Sequence, residues 1–209
     1  MTPDANSRST ALALRAWPEG NAVFRALVFV CVGSAILAIS AKIKVPFYPV
    51  PMTLQTLAVM AIAAAYGSRL AVATVAVYLA EGLLGAPVFT NTPPAVAGPA
   101  YFLGPTGGFL IGFLLIALIV GLATDRGWDR SIPKLFAAMI AADILCFAIG
   151  FAWLAWFARL SSGATGIGLA GAWNNGVVPF LLADLVKIAL AACLIPAAWR
   201  LIAPKPDAI

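Results

Sequence analysis

The stretch PFLLADLVKIALAACLIP, residues 179–196, is apolar except for Asp184 and Lys187. Crossing the hydrocarbon core of a bilayer takes about 20 apolar residues, and this stretch has the length and composition for it. The whole chain has the same character. Of its 209 residues, 63% are hydrophobic and 10% are charged, against about 45–50% and about 25% in soluble domains. Apolar runs can be drawn at 22–41, 54–66, 70–84, 107–123, 135–157 and 177–201. The fold class expected is an all-α integral membrane protein, with six transmembrane helices in a single bundle. The second and third runs are short for a full span. Gly67, Ser68 and Arg69 separate them, which fits a tight turn. The expected organisation is a cytoplasmic segment over 1–21, a transmembrane domain over 22–203 and a cytoplasmic tail over 204–209.

The basic residues orient this bundle. With six spans both termini share one side, which collects Arg8, Arg15, Arg25, Arg69, Arg126, Arg130, Lys134, Arg200 and Lys205. The other side holds Lys42, Lys44 and Arg159. Cytoplasmic loops carry the excess of Lys and Arg, so both termini are expected in the cytoplasm. The net charge of +5 then sets orientation in the lipid bilayer; it does not call for nucleic acid. The opening MTPDANSRSTALALRAWPEGN is polar and mixed, without the charged and apolar regions of a cleaved signal peptide.

The two loops expected outside are unusual. KIKVPFYPVPMTLQT (42–56) and GAPVFTNTPPAVAGPAYFLGPTGG (85–108) are rich in Pro, Gly and aromatic residues. Such residues restrict a loop to few conformations, and preordering lowers the entropy cost of binding. TDRGWDRSIPK, by contrast, reads as a solvated connector.

Four ionisable residues lie within apolar runs: Glu81, Asp143, Asp184 and Lys187. An intramembrane charge costs roughly 2.5–3.5 kcal/mol on insertion scales and usually faces a cavity, a partner or a water path. Asp184 and Lys187 are spaced i, i+3 and share a helix face. They form either a structural ion pair or the polar part of a site beneath the outer loops. Glu81 lies a turn before the second outer loop, where it lines the same pocket or orients the loop. Asp143, nearer mid-span, reads as a buried hydrogen-bonding residue or a protonated carboxyl.

Several chemistries are excluded. Histidine is absent, so histidine metal sites and catalytic triads are excluded. Cys31, Cys146 and Cys193 lie in apolar runs without CxxC spacing and read as unpaired packing residues. No Walker A motif or nucleophile elbow occurs, and GPTGGF is not a dinucleotide fingerprint. No metal or cofactor is expected, and an enzyme built on Glu81, Asp143 or Asp184 would lack a nucleophile–base arrangement.

Four motifs then occur in order: PVPMTLQT (49–56), GAPVF (85–89), FLGPTGGFLIGF (102–113) and ADLVK (183–187). In these the chain resembles the BioY family, the biotin-binding S components of energy-coupling-factor (ECF) transporters. The resemblance implies a vitamin-uptake protein of a bacterial cytoplasmic membrane that binds biotin near the outer surface. Asp184 and Lys187 correspond to the family's acidic and lysine ligand pair, and Asn91 to its loop asparagine. Gln55, in the first motif, and Gly107, in the third, join the implied substrate-binding set, with Glu81 beside it. Biotin supplies two ureido N–H donors, a carbonyl acceptor, an apolar ring and a carboxylate tail. Asp184 can accept a ureido N–H and Lys187 can donate to the ureido carbonyl, as charge-assisted bonds; the rival places Lys187 on the carboxylate. Phe47, Tyr48, Phe89, Tyr101 and Trp173 are candidates for apolar walls. The resemblance also implies partner chains, a transmembrane scaffold subunit and two ATPases. Ala22, Ala26, Ser34 and Ala38 on the first helix are the candidates for docking them, since small residues allow close helix contact. The alternative function is a biotin transporter working alone, as a homo-oligomer.

Overall fold

The computed structural model describes residues 11–13, 17, 21–95 and 97–202. Most of the expected 1–21 segment and the whole 204–209 tail, with Arg8, Arg15 and Lys205, lie outside the described residues. Helix α1, Ala22–Lys42, opens on Asn21, whose side-chain oxygen accepts from the Val23 and Phe24 amides and so satisfies two N–H groups that a helix start leaves without partners. A two-residue hairpin, β1 Lys44–Val45 and β2 Met52–Thr53, follows. Then come α2, Gln55–Leu83, the short α3, Pro99–Phe102, and α4, Gly107–Asp125. A 3-10 turn, Trp128–Arg130, leads into α5, Ile132–Trp156, then α6, Gly168–Gly176, and α7, Val178–Ile202.

Helix α2 is not straight. Gly67 has φ +75°, a conformation that costs a residue with a Cβ but not glycine. Gln55 Nε2 reaches the Tyr78 hydroxyl at 2.7 Å, although a continuous helix would hold these residues about 35 Å apart at 1.5 Å per residue. The chain therefore doubles back at Gly67 into two antiparallel arms, 55–66 and 68–83. The Ser68 amide donates to Asp125 at the end of α4, and so does its hydroxyl, which fixes the turn to the bundle. Among the described residues five stretches are long and apolar enough to cross a membrane, with α2 counted as one; its two arms bring the passes to six. Both arms are nonetheless short, and lie mostly inside the bundle.

Two ends can be distinguished. The loop end carries 43–54, 84–106 and 157–167; the turn end carries Gly67 and the 126–131 connector. The core runs between α2, α4, α5 and α7, around Met60, Val75, Tyr78, Ile116 and Met139. Burial divides the helices. Of the most apolar window of α1 only 17% is buried, against 61% for α2 and for α4, so α1 packs at the edge of the bundle. The sequence reading did not anticipate the hairpin, α3 or α6. The last, GLAGAWNNG, is too glycine-rich to show an apolar run.

Candidate ligand-binding site

The site grows from one face of α7. Asp184 Oδ1 and Lys187 Nζ are 2.6 Å apart, and the residues are 3% and 8% exposed, so this is a buried pair. Lys187 also donates to the Thr53 carbonyl at 2.7 Å and to Thr56 Oγ1 at 3.1 Å. Thr56 in turn donates to Asp184 Oδ1 at 3.0 Å. The hairpin supplies Thr53 and the first turn of α2 supplies Thr56. An ammonium has three protons, and all three are engaged by the protein. The desolvation that makes buried ion pairs costly is thus offset by a closed hydrogen-bond ring.

A second lysine organises the long loop. Lys42 Nζ, at the end of α1, donates to the carbonyls of Pro87 and Phe89 at 2.7 Å each and of Thr92 at 2.5 Å. Phe89 is thereby driven into the bundle, 1% exposed. Its ring stacks on Tyr101 at 4.8 Å and meets Tyr78 edge-on at 5.3 Å. Gly82 makes this possible, because a Cβ there would lie 2.0 Å from Phe89 Cζ. The Tyr101 hydroxyl donates to the Thr90 carbonyl at 2.7 Å, and burial pushes that phenol above its usual range, keeping the proton on the donor.

Beneath these loops lies a cavity of about 60 Å³, lined by Gln55, Thr56, Phe89, Thr90, Tyr101, Phe109, Asp143, Phe147, Phe180, Asp184 and Lys187 among others. A larger groove of about 620 Å³ runs between α5, α6 and α7 beside it. The groove is apolar except for Asp143. The polar side chains therefore gather at the smaller cavity. Asp143 and Phe147 border both spaces.

The structure brings Asp184, Lys187, Gln55, Phe89 and Tyr101 together on one cavity wall. Other expected residues lie elsewhere. Tyr48 is 74% exposed. Asn91 sits on the loop surface at φ +62° and accepts from Lys44 Nζ. Gly107 is buried in the first turn of α4, close against the Phe102 carbonyl. Glu81 accepts the Ser34 hydroxyl at 2.5 Å and so joins α1 to α2. Phe47 packs near Phe180, while Trp173 lines the groove and not the cavity.

The docking candidates divide. Ala22 is exposed and Ala26 half-buried. Ser34 is 1% exposed, and Ala38 packs on the core. The second small pair thus serves contact within the bundle, which sequence spacing cannot distinguish from contact with another chain. Thr53, Thr56 and Thr90, which line the cavity, and Lys42, which holds its loop, were not singled out from the sequence. A backbone carbonyl leaves no signal in sequence, and threonine and a helix-end lysine are ordinary in such positions. Among the described residues no three His, Cys, Asp or Glu side chains cluster as a metal site.

Comparison with known proteins gives a consistent result. The chain is 32% identical to biotin transporter BioY2 of Lactococcus lactis subsp. cremoris, over 81% of this chain and 87% of that protein. It is 34% identical to a probable biotin transporter BioY of Pyrococcus horikoshii, over 75% of this chain and 85% of that one. A crystal structure of the S-component for biotin from an ECF-type ABC transporter shares the fold, with a TM-score of 0.71 over 87% of this chain and 94% of that chain, at 24% identity. The BioY family model matches residues 9–204. A six-pass bundle with a charged cavity under its loops, matched along nearly its whole length, belongs to the BioY family.

Proposed function

We propose that this chain captures biotin and passes it across the membrane as the substrate-binding subunit of an ECF-type importer. The observation that carries the reading is the Asp184–Lys187–Thr56 ring on the wall of a cavity beneath two ordered loops. The relatives named as biotin transporters support the ligand, and the biotin S-component of the same fold supports the assembly. In this reading Asp184 accepts a ureido N–H. Lys187, whose protons are engaged by the protein, holds that carboxylate in place, and exchanges its Thr56 bond for the ureido carbonyl. Gln55, Phe89 and Tyr101 complete the pocket, the aromatic rings covering the thioether ring.

The cavity of about 60 Å³ is below the roughly 300–1,000 Å³ usual for ligand pockets. Biotin entry therefore requires the loop wall to yield, and Phe89 with its loop is the element placed to do so. Both termini are assigned to the cytoplasm of a bacterial cell, with 22–203 as the membrane domain between short tails. ATP is used by two partner ATPases and not by this chain, and the transmembrane scaffold subunit docks on its lipid-facing surface.

Titration of biotin onto purified wild-type, Asp184→Asn and Lys187→Met protein tests the site. Wild type is expected to bind tightly and both variants far more weakly. Equal affinity in all three, with intact folding, overturns the assignment. Co-purification with an ATPase module is expected; biotin uptake by cells lacking any such module would establish a transporter working alone.

A further inference from the structure

Three buried side-chain polar atoms lack a hydrogen-bond partner among the described residues: Arg25 Nε, Thr90 Oγ1 and Asp143 Oδ1. Two of the three belong to residues on the wall of the ligand cavity. Thr90 is 4% exposed and Asp143 is 7% exposed. Native structures leave few buried polar groups unpaired, because each costs the free energy of its lost hydration. Two such groups on one small cavity point to a ligand that pairs them.

Their positions suit opposite ends of that ligand. Phe147 of α5 and Phe180 of α7 approach to 6.4 Å between ring centroids. These helices run antiparallel through that contact. One turn further from the loops, α5 presents Asp143 and α7 presents Asp184, both on the cavity wall. Two carboxylates thus border the cavity floor, with one ammonium beside Asp184 whose protons are already engaged. Such a floor is rich in acceptors and short of donors. It matches a head group with two adjacent N–H groups, as in a urea. Thr90 lies at the loop end, where Tyr101 holds its carbonyl and leaves the hydroxyl free. A hydroxyl there can donate to an anionic tail.

We propose that Asp143 takes the second N–H of the ligand's urea, opposite Asp184, and that Thr90 donates its hydroxyl to the ligand's carboxylate. The assignment rests on the biotin reading above and specifies both ends of the bound molecule. It also orients the ligand, head group inward and carboxylate toward the loops, and removes Lys187 from the carboxylate.

The test is a set of titrations on the purified full chain: wild type, Asp143→Leu, Asp143→Asn and Thr90→Val. The ligands are biotin, its methyl ester and the two mono-N-methyl ureido derivatives. Asp143→Leu is expected to weaken biotin roughly ten- to hundredfold, and Thr90→Val about tenfold, as for loss of a hydrogen bond to or from a charged group. Asp143→Asn keeps an acceptor and should recover part of the loss. Against one N-methyl isomer, Asp143→Leu and wild type should bind alike; against the methyl ester, Thr90→Val and wild type should. The thermal midpoint of ligand-free Asp143→Leu should equal or exceed that of wild type, because an unpaired buried carboxylate is gone. Wild-type affinity for biotin in both Asp143→Leu and Thr90→Val overturns the proposal. So does an equal loss toward every ligand together with a lowered midpoint, the mark of a structural role. If Asp143→Leu does not fold, Asp143→Asn and Thr90→Val still decide the matter by the same ligand comparisons. Wild-type protein that does not bind biotin overturns the transport reading and this assignment with it, a result distinct from failure of the variants alone.

Discussion

The two ends of the bundle use their polar residues differently. At the loop end, Lys42 and Lys187 each bind several oxygens drawn from distant parts of the chain, and the space they enclose keeps two polar atoms unpaired. At the turn end, polar groups finish short connections. Asp125 receives Ser68 beside the Gly67 turn, and Asp129 receives the Trp199 indole, with the Arg130 guanidinium 4.5 Å over the Trp199 ring. The loop end is built around a small polar cavity. The turn end spends its polar groups on joining its own connections. Substitutions at the first should change affinity; substitutions at the second should change stability alone.

The largest break in this division is expected from Lys187→Met. It removes the counter-ion of a buried carboxylate, so biotin affinity should fall by about 2–5 kcal/mol and the empty protein should lose about 3–5 kcal/mol of stability. Titration and thermal unfolding in the same detergent measure both. Asp184→Asn should lose affinity comparably but less stability, since the amide still accepts from Thr56. Gly67→Ala tests the opposite end. Its Cβ would fall 2.5 Å from an Asp125 oxygen at a positive φ, so unfolding should show a loss of about 1–3 kcal/mol with biotin affinity unchanged. A comparable loss of affinity would erase the distinction between the ends.

Gly82→Ala should lie between them. The added methyl displaces Phe89 from the cavity wall, and overpacking of this kind costs about 1–3 kcal/mol, here divided between stability and affinity. The smallest effect concerns pH at the turn end. Burial raises the Asp129 carboxyl above its usual range, against the opposing influence of Trp199. A carboxyl that holds its proton more tightly when folded lowers stability as pH rises from the ordinary carboxylate value through the raised one. The wild-type thermal midpoint should therefore decline modestly through that window, and Asp129→Asn should flatten the decline without altering biotin binding.

Much of this arrangement was legible in the sequence because lipid imposes simple rules. Apolar runs located α1, α4, α5 and α7 to within a few residues, and Gly67 announced the turn that divides α2. The intramembrane Asp184 and Lys187 drew attention to this face of α7, since charge in hydrocarbon is costly without a function or a partner, and both line the cavity. The third partner, Thr56, was not legible, nor was the Thr53 carbonyl, because they meet α7 only through tertiary packing. Tyr48 and Asn91 resembled site residues by motif and composition, yet the loop conformation sends one to the surface and the other to Lys44. The Ser34-x-x-x-Ala38 spacing suggested docking of another chain, whereas Ser34 here meets Glu81 of α2 and Ala38 packs on the core.

The bond from Lys187 to Thr53 joins residues 134 positions apart. It has a consequence for how the protein is made. Helices emerge and insert in chain order, and α7 comes last, carrying a charge that hydrocarbon alone cannot accommodate. The hairpin and the first arm of α2 must wait through most of synthesis for the lysine that closes their ring. The pocket is thus completed by α7, and a chain that stalls before it holds every loop around the pocket but neither member of the Asp184–Lys187 pair.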